Sequence, residues 1–323
     1  RSNNQGQKVR NQIVVPDVER NSGGLPLREL GKTSLKVSNV GFGGGHFIGQ
    51  DLDEAGSIRL LQQAIEQGMT FMDTAWEYGQ GESERRMGLG LQGRRDQVIL
   101  MTKVCAREAK TAEEQLHQSL SRLKTEVIDV WQFHEINYDN DAELIFRPGG
   151  AIETALAARQ AGKIRYIGFT GHKSPHILQT MLDQDFDWDT CQLPTNIADA
   201  HYRSFQKEIL PELNRRQIGV IGMKSLGGRG QLVTELGLSA AQCRRYALTL
   251  SISTLSCGID SMEGLQQDLE IGRNFRPMTE SEMGELESLV YEESGDGRHE
   301  WFKSTQYYDS QYHRDQHGFP PLD

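Results

Sequence analysis

Several classes of function are excluded by what this chain lacks. Cysteine occurs only four times in 323 residues, at Cys105, Cys191, Cys243 and Cys257, with no CxxC pair. That spacing argues against a zinc ribbon or a disulfide framework and leaves four buried free thiols as the expectation. No apolar run approaches the ~20 residues that a bilayer-crossing helix needs, so no membrane partner is expected. Cationic residues are outnumbered, 35 Lys and Arg against 45 Asp and Glu, and they are scattered, giving a net charge of −10. The electrostatic footprint of a nucleic-acid binder is missing, and DNA and RNA are set aside as partners. Proline is scarce, at 9 residues, while 37% of the chain is hydrophobic, so a substantial packed core is expected rather than disorder.

What is present is a regular alternation of short apolar runs with longer amphipathic segments, the pattern of βα units and a parallel sheet. Leu27 to Leu30 and Leu35 to Val37 flank the turn Gly31-Lys32-Thr33 and predict a small hairpin. Strands are then predicted to begin at Val40, Thr70, Val98, Val127, Ile164, Thr190, Gly219 and Thr254, spaced by 26 to 37 residues. Eight such units fit a closed (β/α)8 barrel, an α/β fold. Helices are predicted over Ser57 to Gln67 and from Thr111 onward, with Gly68 and Gly162 placed to stop helices. The competing open, doubly wound sheet usually carries GxGxxG after its first strand. Here that strand runs into Gly41-Phe42-Gly43-Gly44-Gly45-His46, which lacks the third glycine and is not followed by a helix pattern. The barrel is preferred.

The expected organisation is a polar arm over 1–25, the barrel over 26–278, and a C-terminal helix with an aromatic-rich tail over 279–323 packing on the barrel. The helix is predicted from Thr279 to Tyr291, and the tail carries Trp301, Phe302, Tyr307, Tyr308, Tyr312 and Phe319. The polar opening at Arg1 suggests that an upstream segment has been removed, with the cytoplasm favoured and export as the alternative.

In a (β/α)8 barrel, chemistry gathers at the C-terminal ends of the strands. Asp73 ends the second predicted strand, Tyr78 follows in its loop, Lys103 lies near the end of the third and His134 closes the fourth. Singly, each has a plain structural explanation as a cap or a solvated charge. Together, at one face, a carboxylate, a phenol, an ammonium and an imidazole can move protons at a carbonyl.

These residues also carry a resemblance. Asp73-Thr74-Ala75-Trp76-Glu77-Tyr78-Gly79 followed by Ser83-Glu84 resembles the aldo-keto reductase motif DTAxxYG..SE, and Lys103 and His134 fall where that family keeps its lysine and histidine. The similarity runs from about Pro26 to Arg273. It implies hydride transfer between a nicotinamide and an aldehyde or ketone, with Tyr78 as general acid and base. Lys103, held by Asp73, would lower the pKa of Tyr78 from the ordinary value of about 10, and His134 would orient the substrate oxygen.

Further positions follow from the same resemblance. Thr170 and His172 lie in the segment where relatives place Ser-Asn on the cofactor carboxamide, and Gln192 matches the amide-binding glutamine. Met223 sits where an aromatic often stacks on the nicotinamide. Lys224, Ser225, Leu226, Gly227 and Arg229 match a pyrophosphate-approaching segment, while Gly43, Gly44, Gly258, Gln267 and Asp268 complete the cofactor contacts. Asp260 stands where NADP-preferring relatives carry a cation, which pulls toward NAD(H); the family's habit favours NADP(H), and NADP(H) is preferred slightly. Gly45, His46, Trp76 and Glu77 are expected to line the substrate pocket, with a polar, sugar-like substrate favoured over a steroid-like one. Two other readings keep the fold: a cofactor-binding redox sensor without turnover, and a lyase using Lys103 as a Schiff-base nucleophile.

Overall fold

The computed structural model describes residues 19–304. Two short strands, β1 (Leu27–Glu29) and β2 (Lys36–Ser38), form an antiparallel hairpin. Eight parallel strands follow: β3 (Val40–Gly43), β4 (Phe71–Asp73), β5 (Ile99–Val104), β6 (Ile128–Phe133), β7 (Ile164–Thr170), β8 (Thr190–Pro194), β9 (Gly219–Met223) and β10 (Thr254–Gly258). They pair in chain order, and β10 closes against β3 to complete the barrel. Five strands begin where the alternation predicts; β4, β5 and β6 begin one residue later, at Phe71, Ile99 and Ile128.

Helix boundaries follow side-chain chemistry that periodicity alone does not locate. The first helix spans Glu54–Glu66, three residues longer at its start than predicted, because Asp53 caps it by accepting from Gly56 N at 2.7 Å. The next long helix, Ala109–Leu123, begins two residues before Thr111. Gly68 and Gly162 lie just beyond helices with φ of 109° and 76°, the left-handed backbone that lets the chain turn away. After the eighth βα unit comes Glu280–Ser294, whose start is fixed by a Thr279–Glu282 capping box.

The hairpin plugs the N-terminal end of the barrel. Leu30, Leu35 and Val37 pack with Phe71, Met101, Val130 and Ile221 as a cluster separate from the main core. Full burial of one such leucine stabilises the fold by roughly 1.5–3 kcal/mol. Gly31, at φ 55°, lets the turn press on β9: a Cβ there would lie 2.3 Å from Gly219 N. All four cysteines are buried and free, as expected.

Candidate active site

Side chains alternate in direction along a strand, so residues two apart share a face. Two residues above Phe71 and Met101 in the plug cluster stand Asp73 and Lys103. The Lys103 ammonium donates to Asp73 Oδ1, to Thr74 O at 2.9 Å and to Tyr78 Oη at 3.3 Å. Asp73 Oδ2 in turn accepts from Gln192 Nε2 and from Ser256 Oγ, both at 2.7 Å. A buried carboxylate is thereby satisfied by donors from β5, β8 and β10, which fixes the ammonium against the phenol. Ser256 had no part in the sequence reading. A Ser at the end of a barrel strand is too common a feature to single out.

His134, just after β6, completes the group, its ring 5.7 Å from that of Tyr78 in a T-shaped arrangement. Its Nδ1 lies 2.8 Å from Glu77 Oε1. Burial lowers the imidazole pKa against the opposing pull of Glu77. Glu135, the next residue, adopts φ 53° and hydrogen-bonds the Glu77 carboxyl; burial, reinforced by Glu77, pushes it well above the usual carboxylate range. Arg107 holds this turn by donating to His134 O at 2.5 Å and Glu135 O at 3.1 Å, while its Nε meets buried Asp141 at 2.9 Å. Neither Glu135 nor Arg107 was singled out from sequence, because their partners become neighbours only through the fold.

The Ser83-Glu84 part of the motif braces the site from behind. Ser83 Oγ donates to Gly44 O at 2.7 Å, and Glu84 accepts from Thr102 Oγ1 at 2.7 Å and Arg122 at 3.0 Å. The glycines at the mouth are needed for close packing. A Cβ on Gly44 would meet Asp73 O at 2.6 Å, and one on Gly258 would meet the His46 ring at 2.4 Å. Gly45 differs: a Cβ there would sit 3.8 Å from the Tyr78 ring, in ordinary contact, so this glycine leaves open space beside the phenol.

These groups line one cavity of about 660 Å³. Gly43, Gly44, Gly45, His46, Glu77, Thr170, His172 and Gln192 lie on its walls around Asp73, Tyr78, Lys103 and His134. Met223, Lys224, Ser225, Leu226, Arg229 and Gly258 line the remainder. Five expected residues are placed elsewhere. Trp76 turns away, donating from Nε1 to Gln118 at 2.7 Å on the helix Ala109–Leu123. Gly227, at φ 96°, shapes the turn without lining the cavity, and Asp260 is exposed outside it. Gln267 borders a separate cleft with Arg245 and Phe275. Asp268 is buried behind the wall, where it holds Arg244 at 2.6 Å; Arg244 reaches the cavity and donates to Ser225 Oγ at 2.8 Å.

The last described turn forms part of the wall beside Arg229. Trp301 lines the cavity with Arg229 stacked 4.1 Å from its ring, and buried Phe302 meets His172 edge-on at 5.8 Å. Lys303, fully buried, anchors that turn to Asp199 at 2.7 Å and Tyr202 O at 2.6 Å, and pairs within it with Glu300 at 2.8 Å. Tyr307, Tyr308, Tyr312 and Phe319 lie outside the described residues. Burial lowers the Lys224 pKa to about 8.

The cavity suits a nicotinamide cofactor. Gln192 Oε1 is buried with no hydrogen-bond partner among the described residues, an open acceptor beside Lys103 and Asp73 suited to a carboxamide N–H. Lys224, Arg229 and Arg244 supply positive charge on the cavity wall for the phosphates of such a cofactor. Among the described residues, no helix is long and apolar enough to cross a membrane.

Comparison with known proteins agrees with the barrel fold. The model of the Aldo/keto reductase family matches residues 39–247. The chain is 30% identical over 234 residues to L-galactose dehydrogenase of Arabidopsis thaliana, covering 66% of this chain and 68% of that one. It is 38% identical over 164 residues to the aldo-keto reductase YhdN of Bacillus subtilis, covering 45% of this chain and 46% of that one. Among solved structures, the aldo-keto reductase AKR11C1 from Bacillus halodurans superposes with a TM-score of 0.68 at 22% identity, covering 85% of this chain and 99% of that one. A barrel of eight parallel strands with this mouth, matched by the family model over most of its length, belongs to the aldo/keto reductase family, whose members are NAD(P)H-dependent oxidoreductases acting on carbonyl compounds.

Proposed function

We propose that this protein interconverts an aldehyde or ketone and its alcohol on a polar, sugar-like substrate, with Tyr78 as general acid and base and NADP(H) as the preferred cofactor. The observation that carries this is the meeting of Lys103 with Asp73 and with Tyr78 Oη, at 3.3 Å, on the wall of a cavity that His134 also lines.

The bound nicotinamide supplies the hydride donor or acceptor. Gln192 and Thr170 would hold its carboxamide, Met223 its ring, and Lys224, Ser225, Arg229 and Arg244 its phosphates. In reduction, Tyr78 Oη gives its proton to the carbonyl oxygen, and the adjacent Lys103 ammonium stabilises the phenolate that remains. In oxidation the phenolate takes that proton back. Asp73 keeps the ammonium in place.

Substrate polarity is supported by Glu77, Glu135 and His46 on the wall and by the space left at Gly45. The relative named L-galactose dehydrogenase acts, by its name, on a sugar. Preference for NADP(H) is supported by Arg244 and Arg229 on the cavity wall, with Asp260 outside it. Use of Lys103 as a Schiff-base nucleophile is disfavoured by its three acceptors, which hold it as an ammonium. A redox sensor would bind cofactor without repeated turnover.

The test is titration of NADPH and NADH into wild type and Tyr78→Phe, with turnover of a panel of aldoses, ketoses and apolar ketones. Retained cofactor binding with loss of reduction in the variant is expected. Turnover of apolar ketones alone would sink the sugar-like substrate, and binding of neither cofactor would sink the reaction itself.

A further inference from the structure

The segments that follow three consecutive strands, β4, β5 and β6, bring Glu77, Cys105 and His134 together. Their ligand atoms, a carboxylate oxygen, a sulfur and a ring nitrogen, all lie within 4.8 Å of one another, and all three residues are buried. No other such group of three forms among the described residues. The proton chemistry of Tyr78, Lys103 and Asp73 makes no use of the Cys105 sulfur.

The backbones that carry these side chains are tied strand to strand. Trp76 N donates to Lys103 O at 3.1 Å, and His134 N donates to Val104 O at 2.9 Å. One guanidinium spans the rest: Arg107 donates to Cys105 O at 2.9 Å, His134 O at 2.5 Å and Glu135 O at 3.1 Å, while Asp141 holds its Nε. Gln115 Oε1 accepts from Cys105 N at 3.0 Å. The cluster is therefore held in place by groups outside it, as a preorganised site requires.

His134 shows what the cluster is suited to hold. Its Nδ1 lies 2.8 Å from Glu77 Oε1, yet it is buried with no hydrogen-bond partner among the described residues. At that separation only misalignment prevents a bond, so the oxygen lies off the axis along which the ring nitrogen donates or accepts. Two ligands of one cation stand in this relation, since each points at the shared centre rather than at the other. A tetrahedral zinc sets its nitrogen, oxygen and sulfur ligands roughly 3.3–3.6 Å apart, a spacing within reach of side-chain rotation. Burial, reinforced by Glu77 and Glu135, pushes the Cys105 thiol well up, so only a cation that binds thiolate strongly displaces its proton to solvent. Magnesium and calcium prefer all-oxygen ligands and do not fit. The Lys103 ammonium is paired with Asp73, and Glu135, hydrogen-bonded to Glu77, is the outer partner that orients that carboxyl.

We propose that Cys105, His134 and Glu77 form a site for a thiolate-seeking divalent cation of the zinc type, bound through Sγ, Nδ1 and a carboxylate oxygen. Glu77 and His134 line the cavity, which is the route of entry. An ion there takes both side chains away from substrate and inhibits carbonyl reduction. That consequence, unlike the binding itself, rests on the oxidoreductase reading.

Purified wild type, Cys105→Ser and Glu77→Gln are titrated with Co2+, read by absorption, and with Zn2+ in competition with a chromophoric chelator. One tightly bound equivalent with a thiolate-to-cobalt charge-transfer band is expected in wild type. Cys105→Ser abolishes the band, and both variants weaken Zn2+ binding by ~100-fold or more, because losing a ligand costs more than losing its outer support. Cobalt binding without the band, or unchanged Zn2+ affinity in either variant, overturns the site. In a second measurement Zn2+ inhibits aldehyde reduction by wild type and chelator restores it, whereas Cys105→Ser turns over at the wild-type rate and resists the same Zn2+ concentration. Binding without inhibition overturns the functional consequence. If no carbonyl compound is turned over at all, the oxidoreductase reading has failed while the titrations still decide the site. If Cys105→Ser does not fold, Cys105→Ala replaces it, and the wild-type band remains decisive because the other three cysteines belong to no such group among the described residues.

Discussion

The two ends of this barrel are built from the same strands and do opposite things. On β4 the step from Phe71 to Asp73, and on β5 the step from Met101 to Lys103, moves from hydrocarbon packed under the hairpin to a buried ion pair at the mouth. On β9 the corresponding step runs from Ile221, in the plug, to Met223, on the cavity wall. The lower end gains stability from apolar burial. The upper end spends some of it, since ions are taken out of water and held by exact partners. Stability and chemistry are thereby separated by about one pleat, and substitutions at the two ends should have separable effects.

The largest expected effect tests the upper end. Lys103→Met removes the cation beside Tyr78 and should lower kcat/KM for carbonyl reduction by roughly 10²–10⁴-fold, with cofactor affinity by fluorescence titration little changed. Loss of cofactor binding as well would mean that the mouth is not energetically separate from the rest of the barrel. Next comes the lower end. Leu30→Ala should cost about 2–5 kcal/mol in urea unfolding and leave kcat of the folded enzyme unaltered; a matching fall in kcat would erase the distinction.

Smaller effects sharpen the contrast between the reacting groups of the cavity and the cations on its wall. Arg244→Met should weaken NADPH binding by about tenfold and NADH binding much less, in parallel titrations. Equal losses would assign Arg244 to the pyrophosphate rather than to a 2′-phosphate. The smallest effect is in pH. Lys224 is depressed to about 8 by burial, so its charge is lost as pH rises through that value. Because the anionic cofactor favours the charged form, affinity should fall above about pH 8, by at most about tenfold per pH unit. Lys224→Met should bind more weakly and show a flat profile over the same range.

Much of this organisation was legible in the sequence because its signals are local. Alternating apolar runs at 26- to 37-residue spacing locate the eight strands; Asp73, Lys103 and His134 could be placed from strand ends, and Tyr78 from the loop motif that follows Asp73. The residues that were missed act across distance in the chain. Ser256 reaches Asp73 from 183 residues away, and Arg107 closes on His134 and Glu135 from a neighbouring strand end. Trp76 shows the converse error: a position inside a motif does not say which way a side chain turns, and its indole found Gln118 instead of the pocket. Asp268 and Gln267, adjacent on one helix, separate for the same reason, one facing Arg244 and the other a different cleft.

The buried Lys303 anchor makes occupancy of the cavity and order in the last described turn a single equilibrium. Trp301 is part of the wall, so whatever packs against it from inside also opposes release of the turn that Lys303 pins to Asp199 and Tyr202 O. By reciprocity, weakening that anchor must loosen a wall-contacting ligand by the same free energy with which the ligand steadies the anchor. Amide hydrogens between Gly297 and Lys303 therefore act as a built-in occupancy gauge: their exchange should slow in proportion to saturation, however far they lie from the atoms that react.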